Sequence, residues 1–341
     1  MRIFMLFRSD LTSLEYYHKY TNLNEFINNC HDYYLLFSLW LLTNDYFDRV
    51  YIIRIKNKNT NIKDIIFDIN GKKYIQTWVE DLSEVFKLPS PDISFFRGGF
   101  KIYDKVVNQN PPHFGKKLYL GTGKRIYPQY GGRYDVYLQE DKKDFNNSET
   151  CLPFFKTASA EIFYPIPKTK IEYDICWPAN FTQNRYKGQE FFMNVVGHCP
   201  KLKNLKIVHC GNKPEVGRRM AKKYNVSNIK FVGSVDRPTL NKYLNKSKFG
   251  LCLSNKQDGC PRVATEILMS GTPMILRKMT RLLPYFRKTG VVGVNDNNII
   301  TNIMEAFQNH TKLKLDLQKA IKTTLSFNQI CQKNIDLWNT I

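Results

Sequence analysis

From residue 171 onward the chain repeats one pattern: a short apolar run, a polar or glycine-bearing turn, a helical stretch, then the next apolar run. The runs are residues 171–177, 205–210, 229–232, 249–253, 274–276 and 291–294. The helical stretches are 189–196, 215–224, 238–245, 261–270 and a longer one from 298. Short apolar runs of this kind suit strands buried on both faces, and strands separated by single helices join in parallel through crossovers. The pattern predicts a doubly wound parallel α/β sheet. Ligands of such sheets bind outside the carboxyl ends of the strands, so the loops after the apolar runs are the places to look for function.

The first half is less regular. Residues 2–7 and 49–55 read as strands with a helical segment over 26–42 between them, which is again an α/β start. Asn70-Gly71 between the runs 65–69 and 74–78 is a type I′ hairpin signal and predicts an antiparallel insertion. Further strands are expected at 93–96, 117–120 and 135–138. Arg97-Gly98-Gly99, Gly121-Thr122-Gly123-Lys124-Arg125 and Gly131-Gly132-Arg133 flank them. None is a phosphate loop by pattern, since even the second lacks the G-x4-G-K spacing and a Ser/Thr after lysine; a plain turn is the favoured reading of each, and an acceptor-binding loop the alternative.

At 341 residues the chain is long for one core and comfortable for two. The charged stretch 141–144 followed by Pro153, Pro165 and Pro167 marks a passage between domains, giving a first domain over 1–165 and a second over 166–320. No run reaches the ~18 apolar residues that cross a bilayer. The longest, YYLLFSLWLL at 33–42, suits a buried helix. Arg8 and Asp10 interrupt the apolar N-terminus, which leaves no signal-peptide core and predicts a cytoplasmic protein. The eight cysteines form no C-x-x-C pair and no histidines stand at metal spacing, so neither a metal site nor a disulfide framework is expected. The Asn, Ile and Lys bias points to an AT-rich genome, such as that of a protist or a large virus.

Charge is unevenly placed. Residues 1–165 hold 22 Lys+Arg against 19 Asp+Glu, and residues 166–341 hold 29 against 11. A basic second half favours an anionic partner: a nucleotide diphosphate, an anionic membrane surface or nucleic acid. Against nucleic acid stands the lack of a zinc finger, an RRM signature or a continuous basic helix.

Within the second half, DGCPRVATEILMSGTP at 258–273 reads as loop, helix and stop. Pro261 suits a first helical turn and Gly271 a helix end that needs positive φ. Asp258 sits in the loop and Glu266 about one and a half turns into the helix, two hydrogen-bond acceptors for a polyol, with the helix's first amides facing any anion. A second reading is equally open: Arg262 and Glu266 stand i, i+4 and can pair on a solvated face. The loop 177–188 places Arg185 and Lys187 where a planar fork and a point charge can neutralise a diphosphate.

Asp258-x7-Glu266 followed by Gly271-Thr272-Pro273 resembles the acidic-x7-Glu segment of retaining GT-B glycosyltransferases of the family 4 group, in which the first acidic residue is usually glutamate. The resemblance extends from about residue 161 to 307 and includes Lys187-Gly188, with Arg185 nearer the lysine than usual in the family. It implies two Rossmann-like domains facing a cleft and a nucleoside-diphosphate sugar as donor, with no metal or other cofactor. Glu266 would hold the ribose hydroxyls. Asp258 and the segment Gly259, Cys260, Pro261 and Arg262 would orient the donor sugar. Lys187 and Arg185 would meet the diphosphate, Ser234 and Val235 would contact the base through their backbone, and Gly211, at another strand end, would be a further donor-binding position. Gly98, Gly99 and His113 are acceptor-side candidates, and the tail 321–341 would pack back on the first domain. The function so implied is retaining transfer of a sugar to a glycan or other hydroxyl acceptor. Its rivals are a basic nucleic-acid-binding α/β protein and a catalytically silent sugar-nucleotide binder.

Overall fold

A computed structural model describes residues 1–8, 20, 22–30, 32–55, 64–98, 100–121, 134–139, 151–181, 187–254, 261–277, 286 and 288–340. The chain divides into two compact units. Unit 1 comprises Met1–Phe155 and Cys331–Ile341, and unit 2 comprises Lys156–Ile330.

Unit 1 is built on β1 (Ile3–Arg8), β2 (Arg49–Ile55), β3 (Ile65–Ile69), β4 (Lys72–Val79), β5 (Ile93–Arg97), β6 (Lys116–Leu120), β7 (Val136–Gln139) and β8 (Cys151–Pro153). They lie in the order β3-β4-β2-β1-β5-β6-β7-β8, parallel throughout except for the β3–β4 hairpin. All six residues of β1 are buried, as a central strand covered on both faces requires. The hairpin turns on Asn70 (φ 52°) and Gly71 (φ 80°), the two positive dihedrals of a type I′ turn.

The helical segment expected over 26–42 is two helices, α1 (Leu23–Asn29) and α2 (Tyr33–Thr43). Asp32 makes the break: it accepts hydrogen bonds from the amides of Tyr34 (3.0 Å) and Leu35 (3.2 Å), starting a new helix. In α2, residues 33–42 are all buried. Helix α3 (Phe100–Gln109) follows β5. Strand β8 falls inside the stretch that its prolines and charges mark as a connection. Its short edge position beside β7 tolerates Pro153.

Unit 2 holds β9 (Tyr173–Pro178), β10 (Ile207–Cys210), β11 (Ile229–Gly233), β12 (Ser247–Cys252), β13 (Met274–Arg277) and β14 (Val291–Val294), all parallel, in the order β11-β10-β9-β12-β13-β14. The helices are α4 (Gln189–His198), α5 (Pro200–Lys203), α6 (Pro214–Lys223), α7 (Arg237–Asn245), α8 (Arg262–Met269), α9 (Ile299–Gln308) and α10 (His310–Lys322). The last, α11 (Phe327–Trp338), begins in unit 2 and ends in unit 1. The sheet has an apolar core on each face: α7 and α8 supply Leu240, Leu244, Ile267 and Leu268 to one, and α4 and α9 supply Phe192, Met193, Ile299 and Ile303 to the other. Among the described residues no helix is long and apolar enough to cross a membrane.

Candidate functional site

The first strand of unit 2, β9, is flanked by β10 and β12, because the chain winds outward to β11 and then returns to build β12 to β14 on the other side. The carboxyl ends of β9 and β12 therefore border the topological switch point, the usual ligand crevice of an open parallel sheet.

Glycines let the backbone close around it. Gly188, the N-cap of α4, has φ 75°, and a Cβ there would lie 2.6 Å from the carbonyl oxygen of Leu253, just past the end of β12. The glycine thus brings the start of α4 onto the neighbouring strand end. Lys187 precedes it and is half-buried, next to the first amides of α4 at the border of the crevice. Gly211, after β10, is tighter still: a Cβ would stand 2.0 Å from the carbonyl oxygen of Ala179. Its amide donates to the carbonyl of Gly233 (2.9 Å), and the amide of Ala179 donates to the carbonyl of Cys210 (3.0 Å). These bonds lace the ends of β9, β10 and β11 together. Ser234 is exposed and Val235 half-buried in the loop after β11.

Glu266 is a buried carboxylate. It is 1% exposed although it belongs to α8, which starts at a strand-end loop. Its Oε2 accepts a hydrogen bond from Nη1 of Arg237 at 3.0 Å, and its Oε1 is buried with no hydrogen-bond partner among the described residues. Arg237 is the first residue of α7, after Asp236 caps that helix by accepting from the Thr239 amide (2.8 Å). The pairing with Arg262 on a solvated face is therefore corrected: Arg262 is exposed, and Glu266 points inward to α7. Pro261 is the N-cap of α8, and the helix proper opens at Arg262, one residue later than expected.

The other candidates are placed as follows. Arg185, Asp258, Gly259, Cys260 and Gly99 lie outside the described residues. Gly98, with φ 66°, follows β5 at the carboxyl end of the unit 1 sheet, and its amide donates to the Leu120 carbonyl (3.1 Å). His113 is buried. It lies between α3 and the start of β6, at the amino end of that sheet, with Nδ1 3.1 Å from Ser90 Oγ and Nε2 3.2 Å from the Val85 carbonyl. Its ring meets Phe86 and Phe114 edge-on, and burial lowers its pKa. Sequence reasoning missed Arg237. The available signal was an arginine beside a capping Asp236 in the turn after an apolar run, where a new helix must begin.

Among the described residues no three His, Cys, Asp or Glu side chains are grouped to hold a metal ion.

Comparisons with known proteins agree with this fold. Residues 172–309 match the family model described as glycosyl transferases group 1. In fold, the chain is similar to sucrose-phosphate synthase from Thermosynechococcus elongatus (TM-score 0.68, 15% identity, covering 100% of this chain and 99% of that one). It is similar to a glycosyltransferase from Rickettsia africae (TM-score 0.70, 11% identity, 99% and 98%). It is also similar to the trehalose-6-phosphate structure from E. coli bound with UDP-2-fluoro glucose (TM-score 0.61, 9% identity, 99% of each chain). No curated protein sequence matches the chain.

Proposed function

We propose that this chain, GT-B in fold and a group 1 glycosyltransferase over residues 172–309 of its second unit, moves a sugar from a nucleoside diphosphate to a hydroxyl acceptor with retention at the anomeric carbon and without a metal. The observation that carries the reading is Glu266: a carboxylate sealed from water, with one oxygen held by Arg237 and the other without a partner among the described residues. An unsatisfied buried carboxylate oxygen is costly unless a ligand donor completes it, and vicinal ribose hydroxyls are donors of the right kind. Arg237 fixes the side chain so that the ribose meets a pre-set acceptor.

The rest of the chemistry is distributed around the switch point. As the bond from the anomeric carbon to the diphosphate breaks, its electron pair becomes charge on the leaving group. Lys187 and the first amides of α4 oppose that charge where it develops. The narrow approach at Gly211 and the loop of Ser234 and Val235 offer backbone to the base. Arg185 is a second diphosphate contact in this reading. Asp258, with Gly259 and Cys260, orients the donor sugar rather than attacking it. The fold neighbour that carries UDP-2-fluoro glucose supports a nucleotide sugar as the class of donor.

The test is ligand-detected NMR of the folded protein against UDP-, GDP- and ADP-sugars, with Glu266→Ala beside the wild type. Saturation transfer to one nucleotide sugar, lost in the variant, identifies the donor. Equal transfer in both proteins would remove Glu266 from the site.

A further inference from the structure

Unit 2 carries a second hollow, at the end of its sheet opposite the switch point. Strand β12 runs from Ser247, which lines this hollow, to Cys252 beside the crevice, so the strand's length, roughly 17 Å, separates the two places. The hollow holds about 420 Å³, a size suited to a small organic ligand. Four segments enclose it: the strap 165–169, the turn from α7 into β12, the turn Gly271-Thr272-Pro273 between α8 and β13, and the first turns of α10. These segments are fastened to one another. Asn245, at the end of α7, accepts from the Ile166 amide (2.6 Å) and donates to the Tyr164 carbonyl (3.1 Å), which ties the strap to the helix. Thr169 Oγ1 donates to the Ile166 carbonyl (2.9 Å), and Lys168 between them is held at φ 56°, an uncommon conformation for a lysine. Gly271 lets the strap lie on the turn after α8, since a Cβ there would stand 2.8 Å from Pro165 Cγ. Thr272 Oγ1 donates to the Leu244 carbonyl (2.8 Å) and anchors that turn to α7.

Charge of one sign lines this space. Lys168 comes from the strap and Lys248 from β12, while His310 and Lys314, four apart on one face of α10, come from the facing wall. Among the described residues no carboxylate lines the hollow. Asp174, which is not part of the lining, pairs with Lys248 at 2.9 Å; Lys168 and Lys314 have no ion-pair partner among the described residues. His310 registers the resulting field. Its Nε2 lies 3.1 Å from the Lys248 carbonyl, and burial, then the charges of Lys314 and Lys248, lower its pKa. Lysines that serve only solubility need no shared concavity, whereas a cleft of one sign focuses its field on whatever enters it. An anion inside relieves the repulsion among these cations, and several ammonium groups around one phosphoryl group match its double charge. Pro165, Pro167 and Pro273 set apolar faces beside the charges, which suits an organic ester better than a bare ion.

We propose that this hollow is a second ligand site, which binds a small phosphate monoester of the size of a pentose phosphate or a mononucleotide. The phosphoryl group sits among Lys168, Lys248 and Lys314, and the carbon skeleton lies against the prolines. The site does not rest on the donor reading. Because it lies at the other end of the sheet, it fills whether or not the crevice is occupied.

The test is calorimetric titration of the full chain with ribose 5-phosphate, adenosine monophosphate, ribose and inorganic phosphate. It is repeated on Lys168→Gln, Lys314→Gln, Glu266→Ala and Lys319→Gln, the last an exposed lysine of α10 outside the lining. Ribose 5-phosphate is expected to bind saturably and ribose not at all. Lys168→Gln and Lys314→Gln, at exposed positions where the fold is not at stake, should each weaken the ester by about threefold to tenfold. Lys319→Gln and Glu266→Ala should leave it unchanged, and NMR of the His310 imidazole should show its pKa rising as the ester binds. Tighter binding of adenosine monophosphate makes the occupant a nucleotide, and tighter binding of ribose 5-phosphate makes it a sugar phosphate; either supports the site. Four results would overturn it: no saturable binding of either ester, unchanged affinity in both Lys168→Gln and Lys314→Gln, an equal loss in Lys319→Gln, which would mean diffuse surface charge, or inorganic phosphate bound as tightly as the esters, which would mean a free-ion site. Loss of binding in Glu266→Ala would move the ester to the crevice and also overturn the proposal.

Discussion

Glu266 shows what a single residue owes to residues distant in sequence. From spacing alone its partner was as readily Arg262, one helical turn away, as a ligand. The structure gives it Arg237, 29 positions away on another helix, which no local pattern reveals. Glu266→Ala is expected to weaken nucleotide-sugar binding by more than about tenfold, as loss of buried hydrogen bonds implies, read from titration of the folded variant. Arg237→Ala should be costly in a different currency. It leaves the Glu266 carboxylate buried without its cation, although Arg237 is itself one-third exposed and the loss is correspondingly smaller than for a fully sealed pair. We expect roughly 1–3 kcal/mol lost in urea unfolding, against a near-neutral Arg262→Ala. His209 gives a pH signature. Fully buried against Trp177, Phe181 and Phe231, it is held neutral, its pKa pushed down to about 4 by desolvation. The unfolded chain takes up this proton near pH 6.5 and the folded chain near pH 4, so stability is full above 6.5 and falls as pH drops through that window. The loss reaches at most about 3 kcal/mol, and His209→Phe should flatten the stability profile between pH 6.5 and 4.

Secondary elements were the most legible part of the chain, and the exceptions have physical causes. Strands β2 and β14 coincide with their apolar runs because polar residues, or Gly290 before β14, bound them on both sides, and the type I′ hairpin follows from Asn70-Gly71. Helices α1 and α2 were merged because apolar periodicity continues across the break, while the capping that separates them is one carboxylate on two amides. Strand β8 was missed because three residues leave no periodicity to read and a proline argued for a connection. Arg8, Arg54 and Arg97 each stand at or next to the end of an expected strand, but that they are neighbours in register follows only from the order β2-β1-β5. In unit 2 the start of α4 was marked by Lys187-Gly188, and the reason for the glycine came only with its neighbour. Gly188→Ala places a Cβ 2.6 Å from the Leu253 carbonyl at a positive φ. It should cost about 1–3 kcal/mol and displace Lys187, so that nucleotide-sugar affinity falls even in the surviving folded fraction; calorimetric unfolding and titration check the two effects separately.

For the molecule as a whole, the chain's path sets which parts depend on which. Unit 1 is not a contiguous piece of sequence: it begins at Met1 and is completed by Cys331–Ile341, after the whole of unit 2 has been built. The returning segment enters the centre of unit 1. Trp338 is 3% exposed, stacked with Phe4 at 12° and with Phe154 at 15°, and edge-on to Phe37. Asn334, wholly buried, accepts from the Phe155 amide (2.9 Å) and donates to the Phe155 carbonyl (2.8 Å) and to Tyr33 Oη (3.1 Å). Trp338 thus packs against β1, β5 and α2, and Asn334 holds the backbone at the point where the first pass through unit 1 ends. Trp338→Ala should remove about 3–5 kcal/mol by cavity formation, and Asn334→Ala, which removes the hydrogen bonds of a wholly buried side chain, about 1–3 kcal/mol. Both losses belong to unit 1. Native-state hydrogen exchange should therefore show amides of β1, β5 and α2 losing protection in either variant while those of β9, β10 and β12 keep theirs. If protection falls equally in both sheets, the two units open as one cooperative body and the last turns of the chain govern the donor site as well.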